Sequence, residues 1–291
     1  MQKVIIGSRG SDLALWQAND IKSRLEVLGA EVAIKIIKTR GDIIQHLSFD
    51  KLEGKGFFTK ELEEALLNHE IDLAVHSHKD LETTIPLGLE ITAVTERESP
   101  LDLLIIHKER VDLKNEFKIK KNAIIGTSSA RRKSQILRLL PKTKLHDLRG
   151  NVPTRIQKLR DKRYDAIVLA HAGVERLKLD LSEFETILLP PAHFVPAPAQ
   201  GALAIQMRTG DSPIHRLVRK LNHKHTLQTV NIERAVLKAM NGGCQLPLGV
   251  YCPNVDEAFV SFAERADTAA QVKHIFSKNN LVEKIIKEIG K

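Results

Sequence analysis

A carboxylate beside a lysine, a thiol after two glycines and two arginine-bearing loops are the groups in this sequence that could do chemistry. Asp80 closes the run Val75-His-Ser-His-Lys-Asp80, where a strand-like segment ends. A carboxylate held there can move a proton or stabilise a cation, and Lys79 beside it favours the charged form. His76 and His78 have no evident third ligand, so no metal is expected. Cys244 follows Asn241-Gly-Gly after a helical run. A thiol on such a flexible turn is accessible and could become a reactive thiolate. Cys252, in Val250-Tyr-Cys-Pro253, sits in a strand-like segment and reads as inert packing. Lys51, Lys55 and Phe58 lie in a long polar connection where glycines flank Lys55, a composition suited to a mobile lid.

The loops Ser8-Arg9-Gly10-Ser11 and Thr127-Ser-Ser-Ala-Arg-Arg132 each stand between a strand-like run and a helical one. A helix N-terminus offers free N–H groups and a partial positive charge, small hydroxyl residues add hydrogen bonds, and arginine pairs with carboxylates through two parallel N–H groups. Both loops are therefore anion sites, with Arg149 and Arg155 close by in sequence. Neither matches the glycine patterns that cradle nucleotide phosphates, so carboxylates are the better anion.

These residues need strands and helices to hold them. Val4–Ile6, Glu31–Ile37 and Ile71–Val75 read as strands, and 12–28 and Thr59–Asn68 as helices, the latter with Leu62, Ala65 and Leu66 on one face. The middle of the chain repeats the plan, with strands at Ala123–Ile125, Lys144–Leu148 and Asp165–Ala170, and Pro153 in the first turn of a helix. Gly7-Ser8 answers Gly126-Thr127, Arg40-Gly41 answers Arg149-Gly150, and the run from Asp72 to His76 answers that from Asp165 to His171. Alternating strands and helices predict parallel α/β sheets, here in two similarly built domains with a cleft between them. The proline-rich run Leu188–Ala199 reads as a linker. A helix over Thr226–Asn241, stopped by Gly242, short strands near Gly249–Tyr251 and Ala258–Ala263, and a last helix carrying Leu281, Val282, Ile285, Ile286 and Ile289 predict a small third domain. The expected boundaries are 1–96 with 200–219, 101–195, and 223–291.

The chain has 291 residues, 42% of them hydrophobic and 28% charged, an ordinary composition for a globular protein of more than one domain. Its net charge of +9 fits a polyanionic partner or a small substrate with several carboxylates. Aromatic residues at 4% and the lack of a nucleic-acid-binding motif argue against nucleic acid. No apolar run is long enough for a signal peptide or a membrane span, and two cysteines without ligand spacing suit a reducing, cytoplasmic setting.

Taken together the motifs resemble the porphobilinogen deaminase family from about Ile6 to Tyr251. The carriers are Ser8-Arg-Gly-Ser followed by Leu-Ala-Leu-Trp-Gln-Ala, Thr39-Arg-Gly-Asp, Gly54-Lys-Gly-Phe-Phe-Thr-Lys-Glu, Ala74-Val-His-Ser with Lys79-Asp80, Gly126-Thr-Ser-Ser with Arg131-Arg132, Leu148-Arg-Gly-Asn-Val, Ala199-Gln-Gly-Ala-Leu and Gly242-Gly-Cys-Gln. Any one is weak, whereas eight in the family's order are specific. The resemblance implies a transferase of tetrapyrrole (porphyrin and haem) biosynthesis. Its fold would be two α/β domains like type II periplasmic binding proteins plus a small α+β C-terminal domain. It implies stepwise deamination and head-to-tail condensation of four porphobilinogen molecules onto a covalent dipyrromethane cofactor, then hydrolytic release of hydroxymethylbilane. It assigns Asp80 as the catalytic group and Cys244 as the covalent attachment point. Cofactor binding falls to Ser77, Lys79, Thr127, Ser129, Arg131, Arg132 and Arg149. Substrate binding falls to Arg9, Ser11, Arg149, Arg155, Arg176 and Gln200, and Lys55 matches a lid lysine. A monomer that binds neither nucleic acid nor membrane is expected.

The sequence departs from the family pattern in places. Glu82 stands where proline is usual, Ala199 after Pro198 where glycine is usual, and Gln206 where glutamate is frequent. These put local loop shape in question rather than a catalytic group. The alternative reading is a non-catalytic, periplasmic-type carboxylate-binding protein, which would use the arginine loops but has no need of Gly-Gly-Cys-Gln.

Overall fold

The computed structural model describes residues 1–39, 59–210, 212–243 and 245–290. In chain order the elements are β1 (Gln2–Ser8), α1 (Asp12–Val27), β2 (Ala30–Ile36), α2 (Lys60–Leu67), β3 (Leu73–Ser77) and β4 (Leu89–Val94). There follow β5 (Asp102–His107), β6 (Ile124–Gly126), α3 (Ala130–Leu139), β7 (Lys144–His146), α4 (Val152–Arg160), β8 (Ala166–Ala170), α5 (His171–Arg176) and β9 (Phe184–Leu189). The last are β10 (Leu203–Arg208), α6 (Ser212–Arg219), α7 (Lys224–Ala239), β11 (Leu248–Asn254), β12 (Glu257–Phe262), β13 (Gln271–Phe276) and α8 (Leu281–Glu288). The chain forms two compact units, Met1–Glu98 with Gly201–Gln228, and Ser99–Gln200 with Thr229–Lys291.

The first unit is built on a five-stranded sheet of order β2-β1-β3-β10-β4, in which β1, β2 and β3 are parallel and β10 runs antiparallel between β3 and β4. Alternate residues of its strands face opposite layers. Val4, Ile6, Leu73 and Val75 pack with Ile21 and Leu25 of α1 and Val218 of α6. Ala74 and Leu89 pack with Leu62, Ala65 and Leu66 of α2, the face expected from the helical spacing.

The second unit carries a sheet of order β7-β6-β8-β5-β9, with β6, β7 and β8 parallel and β5 antiparallel between β8 and β9. Cores lie on both of its faces. The same unit holds the antiparallel sheet β11-β12-β13, whose Val250, Val260 and Ile275 pack with Val236 of α7 and Ile285 of α8. This is the α/β class expected, two sheets of mixed parallel and antiparallel strands covered by helices, with a small α+β portion.

The internal repeat is exact to the hydrogen bond at one place. The Asp72 carboxylate accepts from the Ile5 amide while the Asp72 amide donates to the Ile5 carbonyl, and Asp165 does the same with Ile124. This superposition corrects one sequence pairing. His76 matches Leu169, and it is His78 that matches His171, since the His78 amide donates to Ala202 and the His171 amide to Leu101, each at 3.0 Å. Counting histidines misaligned the two runs because strand register, not residue type, sets the correspondence. Arg40-Gly41 lies outside the described residues. Gly242 is not the helix stop either. Asn241 takes the left-handed conformation at φ 50°, and Gly242 follows it where a Cβ would sit 2.6 Å from a methyl of Leu246, so a larger residue would have to displace that side chain.

Candidate active site

In the first unit the chemistry gathers where β1 and β3 end. Ser11 caps α1, its hydroxyl accepting from the Ala14 amide, and Arg9 sits half-buried in the loop just before it. Gln17 of α1 donates to the Ser77 hydroxyl at 2.8 Å, which fixes the last residue of β3. The chain then makes a single 3₁₀ turn over His78–Asp80 that leaves Asp80 exposed and Lys79 half-buried. The turn is pinned by the His78 amide on the Ala202 carbonyl. Asp80 thus stands at the accessible end of a buried strand, as the sequence reading required.

Beneath that turn runs a buried polar chain. The Gln206 amide donates to Glu63 at 3.0 Å, so its carbonyl oxygen is left to accept from His76 Nε2 at 3.0 Å. Burial pulls His76 down from 6.5 to about 4, against the pull of Gln206, and the nearby Arg9 charge adds to the fall. Burial also pushes the Glu63 carboxyl up, opposed by the Gln206 hydrogen bond and reinforced by the charge of Glu82. Two departures from the family pattern therefore meet here: Gln206 bridges a neutral histidine to Glu63, and Glu82 raises that acid.

In the second unit the loops after β6 and β7 are tied together by Ser128, whose hydroxyl donates to the Leu148 carbonyl at 3.0 Å. Thr127 accepts from the Ser129 amide, and Ser129 caps α3. Arg149 belongs to the neighbouring turn and Arg155 to α4 just after it, where Arg155 Nε donates to the Gly150 carbonyl at 2.7 Å. Gly150 takes φ 109°, and a Cβ would lie 2.6 Å from Thr154, so only glycine fits between the two arginine positions. Arg176 is buried at the end of α5. Gln200 is fully buried, its amide donating to the Pro100 carbonyl at 2.7 Å.

Arg131 and Arg132 are buried, and both turn to Asp102, the first residue of β5, which is 0% exposed. Arg131 grips it with Nη1 at 2.7 Å and Nη2 at 3.3 Å, and Arg132 with Nη2 at 2.7 Å and Nε at 2.9 Å. Each also donates to a carbonyl, Arg131 to Val195 and Arg132 to Val168. Burial draws the Arg131 pKa down from its usual value, Asp102 opposes this, and the Arg132 charge adds to it. Two cations against one anion leave the cluster one positive charge in excess. Asp102 went unread in the sequence. Its signal was a lone acid leading the apolar run Leu-Leu-Ile-Ile of a buried strand, a place where a charge needs a partner.

Cys244, Lys51, Lys55 and Phe58 lie outside the described residues. Beside Cys244, a Cβ on Gly243 would meet nothing within 4 Å, whereas Cys252 is 2% exposed and free, as inert packing requires. Among the described residues no group of acidic, histidine or cysteine side chains could hold a metal, and no helix is long and apolar enough to cross a membrane. Each unit by itself offers donors that suit carboxylates: a serine-capped helix start beside Arg9 in the first, and in the second another such start with a buried cluster short of one anion.

Comparison with known proteins agrees. The family described as porphobilinogen deaminase, dipyromethane cofactor binding domain, matches residues 4–216, and its C-terminal domain family matches residues 227–265. The porphobilinogen deaminase of Sulfurimonas denitrificans is 43% identical over 90% of this chain and 82% of its own. That of Chlorobium chlorochromatii is 41% identical over 96% of this chain and 89% of its own. Among solved structures, an ancestral cationic amino acid solute binding protein aligns over 75% of this chain and 87% of its own, with a TM-score of 0.44 and 14% identity. The fold and site define an α/β transferase with a dipyrromethane-binding domain. The chain belongs to the porphobilinogen deaminase family.

Proposed function

We propose that this protein deaminates porphobilinogen, joins four molecules head to tail on a Cys244-bound dipyrromethane primer, and releases hydroxymethylbilane by hydrolysis. The observation that carries this is the family match over residues 4–216, which spans both Asp80 and the arginine cluster. The dipyrromethane supplies the pyrrole carbon to which the first substrate unit is joined. Asp80, at the exposed end of β3, pairs its carboxylate with the substrate's ammonium, which already carries the proton that leaves with ammonia. Its carboxylate then faces the cation that loss of ammonia creates and takes the proton released on coupling. Arg9, Arg149, Arg155 and Arg176 hold acetate and propionate groups, with Ser11 and Gln200 as further donors. Ser77, Lys79, Thr127, Ser129, Arg131 and Arg132 hold the cofactor. Arginine suits this work because it stays charged at any working pH and grips a carboxylate with two N–H groups. Three domains (1–96 with 200–219, 101–195, 223–291), a monomeric state and a cytoplasmic location complete the proposal, without a nucleic-acid or membrane partner.

The test follows substrate, ammonia and product in one incubation. The reading expects one ammonia released per porphobilinogen consumed and a linear tetrapyrrole of four units. Binding of porphobilinogen without ammonia release would instead fit the carboxylate-binding alternative.

A further inference from the structure

The cluster at the start of α3 contains one residue to which the reaction gives no role. Asp102 touches two guanidiniums that the proposed function assigns to cofactor binding, and it is buried more completely than either. The first unit shows what the fold needs at this corner. Aligning α1 and α3 on their capping serines, Ser11 and Ser129, puts Leu13 and Ala14 where Arg131 and Arg132 stand. Strand register puts Leu203, opposite Ser77, where Asp102 stands opposite Ala170. The same architecture therefore carries apolar residues at these positions in one unit and three charges in the other. Buried ion clusters seldom stabilise a fold more than apolar packing of similar volume. The charges of the second unit answer some other demand.

The hydrogen bonds say which. A guanidinium has five N–H groups. Each of these two spends three on Asp102 and one backbone carbonyl, leaving two without a partner among the described residues. Without Asp102, two like charges side by side would repel and each would be free to swing. With Asp102, both planes are fixed and the cluster is short of one negative charge.

We infer that Asp102 is a positioning residue: it locks Arg131 and Arg132 in place and sets their joint charge so that one carboxylate of the dipyrromethane completes the cluster. This rests on the function proposed above. It makes the apoprotein, not only the loaded enzyme, depend on Asp102.

The experiment uses apoprotein made in cells unable to form porphobilinogen, then given porphobilinogen. Adduct formation is followed by intact mass and stability by thermal melting. Wild-type chain should gain the adduct; if it does not, the functional reading fails first. Asp102→Asn should remain folded by circular dichroism and form the adduct at least tenfold more slowly. Asp102→Ala should be rescued in both melting temperature and adduct rate by acetate, which refills the vacated carboxylate position, and not by chloride at equal ionic strength. A third variant, Asp102→Leu with Arg131→Leu and Arg132→Ala, copies the apolar corner of the first unit and should melt at or above the wild-type apoprotein while forming no adduct. The inference is overturned if Asp102→Asn gains the adduct at the wild-type rate. It is equally overturned if acetate and chloride act alike on Asp102→Ala, or if the apolar triple variant fails to fold, since Asp102 would then be a structural residue alone.

Discussion

The two α/β units share strand order, capping serines and the aspartate staples at Asp72 and Asp165, yet they put charge to opposite uses. In the first, the turn after β3 presents Asp80 to solvent, while the corner at Leu13 and Leu203 is apolar. In the second, the position matching Asp80 is Gly173, and the corner is a buried cluster with one positive charge in excess. One scaffold thus offers an accessible carboxylate and the other a fixed set of cations. The lesson is that two units of one strand order divide labour by carrying different side chains at equivalent positions, with the aspartate staple and the strand-end hydrogen bond kept in both.

The sharpest way to break this comparison is to strip the cations from the second unit. Either Arg131→Leu or Arg132→Leu leaves Asp102 with one guanidinium, so each should fold but fail in cofactor assembly or chain elongation. Removing both leaves Asp102 buried without either guanidinium and should cost about 3–5 kcal/mol in urea unfolding. Normal turnover in both single variants would end the assignment. In the first unit, Asp80→Asn keeps size and fold, because the side chain is exposed, but loses the charge proposed to face the substrate cation. Turnover should fall roughly a hundredfold or more. A folded Asp80→Asn enzyme at wild-type rate would contradict the contrast between the units.

A smaller effect concerns His76, which the second unit replaces by Leu169. Its folded pKa of about 4 lies below the ordinary 6.5, so between these values the unfolded chain binds a proton that the folded chain refuses. Stability is therefore present above pH 6.5 and lost as pH falls toward 4. Glu63, pushed up by burial, opposes this over its own range. The loss from His76 alone should be on the order of 3 kcal/mol, and Glu63 makes the net loss smaller. Denaturant melts across this range should show a weaker slope in His76→Gln; an unchanged slope would remove His76 as its source. The least effect belongs to Ala199. It is buried at φ 62°, its amide held by the Glu233 carboxylate at 2.6 Å. Ala199→Gly relieves about 1–2 kcal/mol of left-handed strain and costs roughly 0.4–1 kcal/mol of chain entropy. A net gain between about 0 and 1.6 kcal/mol is expected, and a loss would mean that Ala199 is not strained.

Much of this was legible in the sequence because periodicity marks strands and helices, and motif order marks the family. The parallel strands and their helices came out within a few residues. The antiparallel strands β5 and β10 did not: the return of residues 200–219 to the first unit was expected, but neither run was read as the strand that enters the sheet antiparallel between two others. The place of Asp80 at a strand end, the hydroxyl-bearing loops before two helices and the buried Cys252 were readable from local context. Asp102 was not, because its partners lie 29 and 30 residues away and only the sheet brings them together. The bridge from His76 through Gln206 to Glu63 was hidden for the same reason.

The most direct test of the account is the intact denatured mass of the protein after exposure to porphobilinogen, set against the 32.6 kDa chain. The account predicts a covalent addition of two linked pyrrole units that survives dithiothreitol, as a thioether must and a disulfide cannot. It should vanish in Cys244→Ala and persist in Cys252→Ala. A chain that bears no addition and makes no bilane after incubation with substrate would contradict the account and leave the carboxylate-binding reading in its place.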